Sequence, residues 1–263
     1  MNDNLIASLA EELYGALRSA RTVAPLTDRQ SDITIGQAYL ISSQLLQRRL
    51  DDGERVIGKK IGVTSKAVQD MLDVHQPDFG FLTDRMRFDN GSTVGLRKAG
   101  LIQPRAEGEI AFVLKSDLVG PDVTAEDVIA ATDYVAPCFE IVDSRISNWK
   151  IRIQDTIADN ASCGVFVLGT QRVDPRTVDL ASVRLDMTCN GKPCGTGYGS
   201  AVQGHPATAV AWLANTLGRF GIPFKKGEVI LSGALSPLVP VVPGDRFELT
   251  ISELGSASVS FAA

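Results

Sequence analysis

The sequence predicts an α+β protein in which a helical N-terminal segment is set on a β-rich, mostly antiparallel core. Three observations point there. Leucines recur at helical spacing in the first fifty residues, and short strand-like runs parted by turn signals follow from about residue 76. Nowhere do β and α patterns alternate regularly, so a doubly wound parallel sheet is not supported. The 263 residues fit one large domain or a domain with a helical appendage, and 44% hydrophobic residues suffice for a sizeable core. The division read from the chain is a helical segment with a short strand over 1–75 and a β-rich domain over 76–263.

Each element has its own signal. Leu5, Leu9, Leu13 and Leu17 lie on one face of a first helix. After a polar break containing Pro25, Thr34 and Gln37 have the spacing of a capping box that opens a second helix, running to about Leu50. Val56–Ile61 reads as a short strand, and Thr64 or Ser65 caps a short helix through Leu72. Glu109–Lys115 alternates with Ile110, Phe112 and Leu114 on one face. Val135–Val142 and Gly164–Leu168 are further apolar strands. Asn190-Gly191 marks a hairpin after Val183–Cys189. Val229–Leu231, Phe247–Ile251 and Ala257–Phe261 complete the strands. Two helices interrupt them: one from Thr124 with Asp127 at the capping position, and one from Pro206 that buries Val210, Leu213, Leu217 and Phe220 before Gly221.

Composition excludes several classes of function. A net charge of −5, no basic tract and 6% aromatics leave little footing for nucleic acid. No apolar run approaches the ~18 residues that span a bilayer, and the N-terminus carries acids where a signal peptide carries bases. The expectation is a cytoplasmic protein with neither nucleic-acid nor membrane partners. Four cysteines without a C-x-x-C pair, and only two histidines, argue against a zinc site. Carboxylates remain as metal ligands, a hard repertoire suited to Mg²⁺ or Mn²⁺.

Four clusters are candidates for chemistry. Glu107 and Glu109, two apart on a strand, project from one face and repel unless water or a cation intervenes; a solvated edge strand carrying two acids reads the same way. Glu140 lies in an otherwise apolar strand, where an unpaired carboxylate is expensive. Arg145 or Lys150 offers it a partner, and a divalent ion shared by Glu107, Glu109 and Glu140 is the alternative. Lys59 and Lys60 are adjacent on a strand, so one is expected in solvent and the other points into the fold; two ordinary surface lysines read the same way. Asp78, bracketed by Pro77 and Gly80, reads as a loop aspartate, either capping a turn or serving a site. Ser162, in a run of small and polar residues, is a candidate hydrogen-bond donor to substrate. Cys163 reads as buried filler.

The blocks VIGKKIGVTSKAVQ, HQPDFGFLTD, LIQPRAEGEIAFVL, CFEIVDSRI and DNASCG, in this order, resemble the 2-hydroxypenta-2,4-dienoate hydratases of the fumarylacetoacetate hydrolase superfamily. The similarity runs over nearly the whole chain, to LGSASVSF. It implies a mixed β-roll core, with 76–263 as the catalytic domain. It also implies Mg²⁺ or Mn²⁺ held by Glu107, Glu109 and Glu140, a pocket lysine at Lys60, a site aspartate at Asp78 and a serine at Ser162. The implied activity is addition of water to a small 2-hydroxydienoic acid, giving 4-hydroxy-2-oxopentanoate, in the meta-cleavage catabolism of aromatic compounds. A homo-oligomer and a complex with 4-oxalocrotonate decarboxylase are implied as well. That decarboxylase is the relative of different activity. Its segment equivalent to Gln76-Pro77-Asp78 lacks the aspartate, so Asp78 favours hydration, the reaction that needs a base for water.

Overall fold

The computed structural model describes residues 2–71 and 73–263. Asn2 caps α1 (Asp3–Ser19) by accepting the Leu5 N–H. A four-residue helix, α2 (Leu26–Arg29), fills the expected polar break. Thr34 and Gln37 form the capping box of α3 (Ile35–Asp51). Ile6, Leu9 and Leu13 of α1 meet Ile41 and Leu45 of α3 in a separate apolar cluster. β1 (Val56–Gly62) and α4 (Lys66–Met71) follow; Leu72, where the sequence reading ends that helix, lies outside the described residues.

β2 (Asp78–Thr83) was not anticipated, because Gly80 inside it and Pro77 before it mimic a turn. β3 (Arg87–Asp89), β4 (Thr93–Gly95) and β5 (Arg105–Leu114) come next, then α5 (Ala125–Ala131), whose capping box joins Thr124 to Asp127. β6 (Thr132–Val142) leads to α6 (Ile153–Ala158), which, like β3 and β4, the sequence reading did not contain. Its Ile153 and Ile157 complete the α1–α3 cluster. The remaining order is β7 (Cys163–Leu168), the hairpin β8 (Arg184–Cys189) and β9 (Lys192–Tyr198), α7 (Pro206–Gly218), β10 (Val229–Ala234), β11 (Val239–Pro240), β12 (Arg246–Ile251) and β13 (Gly255–Ala262). Val210, Leu213 and Leu217 of α7 are buried as expected. Phe220 is not: the helix ends at Gly218, so the ring falls outside the apolar stripe and is 72% exposed.

Two mixed sheets form the core. One has the order β2-β1-β10-β5-β6-β7-β3 with β11 added beside β5; the other has the order β4-β13-β12-β8-β9. The parallel pairings are β1–β10, β3–β7 and β4–β13, and the others are antiparallel. β2 and β3 sit at opposite edges of the first sheet, yet only Asp84–Met86 joins them. Three residues reach about 10 Å, whereas the edges of a flat seven-strand path lie roughly 29 Å apart. The sheet therefore curls into a roll, and Leu82 and Met86 meet Phe166 inside it. Its outer face packs on the second sheet through Phe139 and Phe247 and is covered elsewhere by α5 and α7. Gly108 makes that close approach possible, since a Cβ there would overlap Leu185. No helix among the described residues is long and apolar enough to cross a membrane.

Candidate active site

Strand register gathers the acids on the inner face of the roll. Glu107 lies opposite Glu140 across β5–β6, and Glu109 shares its face two residues on. β5 is paired on both sides, so the solvated-edge alternative is overturned: Glu109 and Glu140 are wholly buried and Glu107 is 8% exposed. The three side chains bring carboxylate oxygens within 4.8 Å of one another. Glu109 Oε2 accepts the Gly233 N–H at 2.7 Å. Glu109 Oε1 and both oxygens of Glu140 have no hydrogen-bond partner among the described residues.

Burial, reinforced by the Glu140 charge, pushes the Glu107 carboxyl up to about 8. Burial also drives Glu109 well above the usual carboxylate range, with Glu140 and Glu107 adding to it. Neither Arg145 nor Lys150 is the partner of Glu140. Arg145 grips Asp159, and Lys150 pairs with Asp28. Buried, orphaned hard oxygens at this spacing fit a divalent cation such as Mg²⁺ or Mn²⁺, with coordination positions to spare.

Among the described residues, the cation facing the cluster is Lys60. It lies opposite Leu231 of β10, which in turn lies opposite Ala111 of β5, so register puts Lys60 on the same inner face as the glutamates. Its Nζ is 3.3 Å from Glu140 Oε1 and donates to the Ala161 carbonyl at 3.0 Å. Burial works to strip the ammonium of its proton. Glu140, Asp78, Cys163 and Glu107 outweigh it and hold the group above its ordinary range. Lys59 faces outward from the roll, yet it is not in solvent: it is 2% exposed, bonded to Glu228 and set over the Phe224 ring. Helix α7 and the following loop cover that face, which alternation along one strand does not reveal.

Asp78 is the first residue of β2, not a loop residue, and sits opposite Gly62. A Cβ on Gly62 would overlap Asp78 Oδ1 and come 3.1 Å from Lys60 Nζ, so this glycine leaves room for both groups. Asp78 Oδ1 is buried with no hydrogen-bond partner among the described residues. Burial raises its pKa with help from Glu140, against the pull of Lys60. The Tyr39 ring of α3 stacks on neighbouring Phe79 with centroids 4.3 Å apart.

Ser162 ends a turn in which Asn160, Ala161 and Ser162 are all left-handed, with φ of 54°, 51° and 50°. Such conformations cost non-glycine residues on the order of 1 kcal/mol each, so the surroundings must hold them. Arg145 does so by donating to the Asp159 carboxylate and carbonyl and to the Cys163 carbonyl. Asn160 pairs with the Phe81 backbone. The Ser162 hydroxyl bonds Thr156 Oγ1 at 3.0 Å, and Cys163 is buried. Lys60 and Asp78 thus converge beside the three glutamates, while Ser162 stands behind Lys60 with its hydroxyl engaged elsewhere. Sequence reasoning missed Tyr39, Asn160 and the Gly233 amide as site neighbours and named Arg145 only as a partner for Glu140. Asn160 and Arg145 carried a signal, their places in the DNASCG and CFEIVDSRI blocks.

Alongside lies a cleft of about 470 Å³ whose lining includes Thr64, His75, Gln76, Pro77, Gln203 and Trp212. Pro77 precedes Asp78, and Thr64 packs where a Cβ on Gly233 would fall, so the cleft borders the site.

The family profile described as fumarylacetoacetate (FAA) hydrolase C-terminal matches residues 57–261. A 2-hydroxyhexa-2,4-dienoate hydratase of Comamonas testosteroni is 67% identical over 256 residues, 97% of each chain. A 2-hydroxypent-2,4-dienoate hydratase of Pseudomonas putida is 61% identical over 222 residues, 84% of this chain and all of that one. Among solved structures, 4-oxalocrotonate decarboxylase from Pseudomonas putida G7, complexed with magnesium and adipate, superposes with a TM-score of 0.95 at 35% identity, covering 99% of this chain and 98% of that one.

Proposed function

The chain belongs to the fumarylacetoacetate hydrolase family, its near relatives are hydro-lyases by name, and from that premise we propose that it is a metal-dependent hydratase of short 2-hydroxy-2,4-dienoates. The product from the five-carbon acid is 4-hydroxy-2-oxopentanoate, a step in the meta-cleavage breakdown of aromatic compounds. One observation carries hydration in particular: the buried, unpartnered Asp78 Oδ1 beside the Lys60 ammonium, at the edge of the carboxylate cluster.

Glu107, Glu109 and Glu140 would hold Mg²⁺ or Mn²⁺, which would supply Lewis acidity to the 2-oxo acid end of the substrate. The dienol becomes an α,β-unsaturated ketone when the C2 hydroxyl gives up its proton and C5 takes one. Water then adds at C4, its surplus proton passing to Asp78, and C3 is protonated. Lys60, kept as an ammonium by its acidic neighbours, is the donor to C3 or C5 and balances negative charge on the C2 oxygen. Asp78 suits the opposite part, because burial makes it a stronger base than an exposed carboxylate. Ser162 serves substrate only by exchanging its Thr156 partner for a substrate oxygen.

Decarboxylation of 4-oxalocrotonate is the second reading, favoured by the backbone likeness to that decarboxylase. One assay separates the two. Purified protein with Mg²⁺ or Mn²⁺ is given 2-hydroxypenta-2,4-dienoate, its six-carbon homologue and 4-oxalocrotonate. Loss of dienol absorbance with formation of the hydroxy-oxo acid is expected. CO₂ release from 4-oxalocrotonate with no hydration of either dienoate would reverse the assignment.

A further inference from the structure

β2 is an edge strand, paired with β1 along one side only, so the outer side of its backbone needs another partner. Asn160 provides it. Its Oδ1 accepts the Phe81 N–H at 2.8 Å, and its Nδ2 donates to the Phe81 carbonyl at 3.0 Å. One side-chain amide thus stands in for the peptide group of a missing neighbouring strand. The approach is close: a Cβ on Gly80 would overlap the Asn160 carbonyl, so β2 lies directly against this turn. Gly80 is also the residue opposite Lys60.

The next residue in the turn holds the other half of the pair. Asn160 and Ala161 are left-handed, and the Ala161 carbonyl accepts from Lys60 Nζ at 3.0 Å. Asp78 begins the strand that Asn160 clamps, and Lys60 is bonded by the carbonyl one residue on. We infer that Asn160 is a positioning residue that fixes the relative placement of Asp78 and Lys60 by tying β2 to the turn that receives the lysine. Its side-chain amide is spent on the Phe81 backbone, and it acts through the two groups it aligns. Asparagine suits the place, since it tolerates the left-handed region better than most residues while offering one donor and one acceptor. This role rests on the hydratase reading for its catalytic consequence but not for its geometry.

The test uses full-length Asn160→Gly and Asn160→Ala, both lacking the amide. Glycine relaxes the left-handed backbone and alanine leaves it strained, so a defect common to both belongs to the amide. Hydrogen exchange of the 78–83 backbone is expected to quicken in both variants. On 2-hydroxypenta-2,4-dienoate, kcat is expected to fall at least tenfold, with KM and the Mn²⁺ dissociation constant within about threefold of the parent. A kcat within twofold of the parent in Asn160→Gly overturns the inference, as does a loss confined to Asn160→Ala, which would belong to backbone strain. If the parent chain itself turns over no dienoate, the hydratase reading fails. Unchanged exchange in 78–83 would then overturn the clamp independently.

Discussion

At the scale of the residue, the site is a problem of charge. Four carboxylates, Glu107, Glu109, Glu140 and Asp78, surround one ammonium in a buried space. Two adjacent glutamates on a strand and a third inside an apolar run are visible in sequence, because a buried charge is conspicuous wherever hydrophobic neighbours predict a core. Which of two adjacent lysines faces them was open until β10 fixed the register, and the expectation that one would be solvated failed. Asp78 and Ser162 make different predictions. Asp78→Asn keeps the shape and removes the base. Its hydration rate is expected to fall by a factor on the order of 10² to 10⁴, with Mn²⁺ affinity near that of the parent by calorimetry. Ser162→Ala breaks only the bond to Thr156 and is expected to cost far less activity. Equal loss of metal affinity and rate in Asp78→Asn would make Asp78 a structural residue.

At the scale of the element, the helical segment is fastened to the roll by a buried clasp. Glu54 follows α3, and its carboxylate accepts from Arg49 of α3, Arg18 of α1 and Thr83 at the end of β2. Burial raises the Glu54 pKa, but Arg49, Thr83 and Arg18 outweigh it and hold the carboxyl below its usual range. Burial also lowers Arg49, yet a guanidinium does not give up its proton in the working range, so the pair stays ionised. A depressed acid stabilises above its unfolded pKa and loses that contribution as pH falls through the folded one. The clasp is therefore intact at neutral pH, begins to lose its contribution below the unfolded carboxylate pKa of about 4.3, and is gone once pH has fallen through the lower folded value. Glu54→Gln leaves the buried Arg49 without its carboxylate, whereas Arg18 keeps Asp52, and is expected to lose roughly 3 kcal/mol in neutral-pH denaturant titrations. The gap from the parent should narrow as pH drops through the carboxylate range. A gap independent of pH would mean that the ion pair is not what Glu54 contributes.

At the scale of the whole molecule, closing the roll buries Glu107, Glu109 and Glu140 together, so a divalent cation held there, as proposed, would link its binding to folding. A ligand bound only by the folded state at 100 times its dissociation constant adds about 2.7 kcal/mol of stability, or roughly 5–10 °C in Tm for a chain of this size. Mg²⁺ or Mn²⁺ added to chelator-treated protein should raise Tm by that order in differential scanning fluorimetry, and Glu140→Gln should lose most of the increment. A Tm indifferent to both ions would remove the metal from the site. The sequence by itself determined the longer helices, most of the strands and the chemical types in the site, because periodicity, caps and buried charges are local signals. Only the tertiary structure decided that β2 is a strand, that Lys59 is as buried as Lys60, and that Asn160 bonds β2 one residue before the carbonyl that receives Lys60. β2 is recognised by its pairing with β1, Lys59 is covered by α7 and the loop after it, and Asn160 reaches β2 across the roll, and none of these partners is announced by a local pattern.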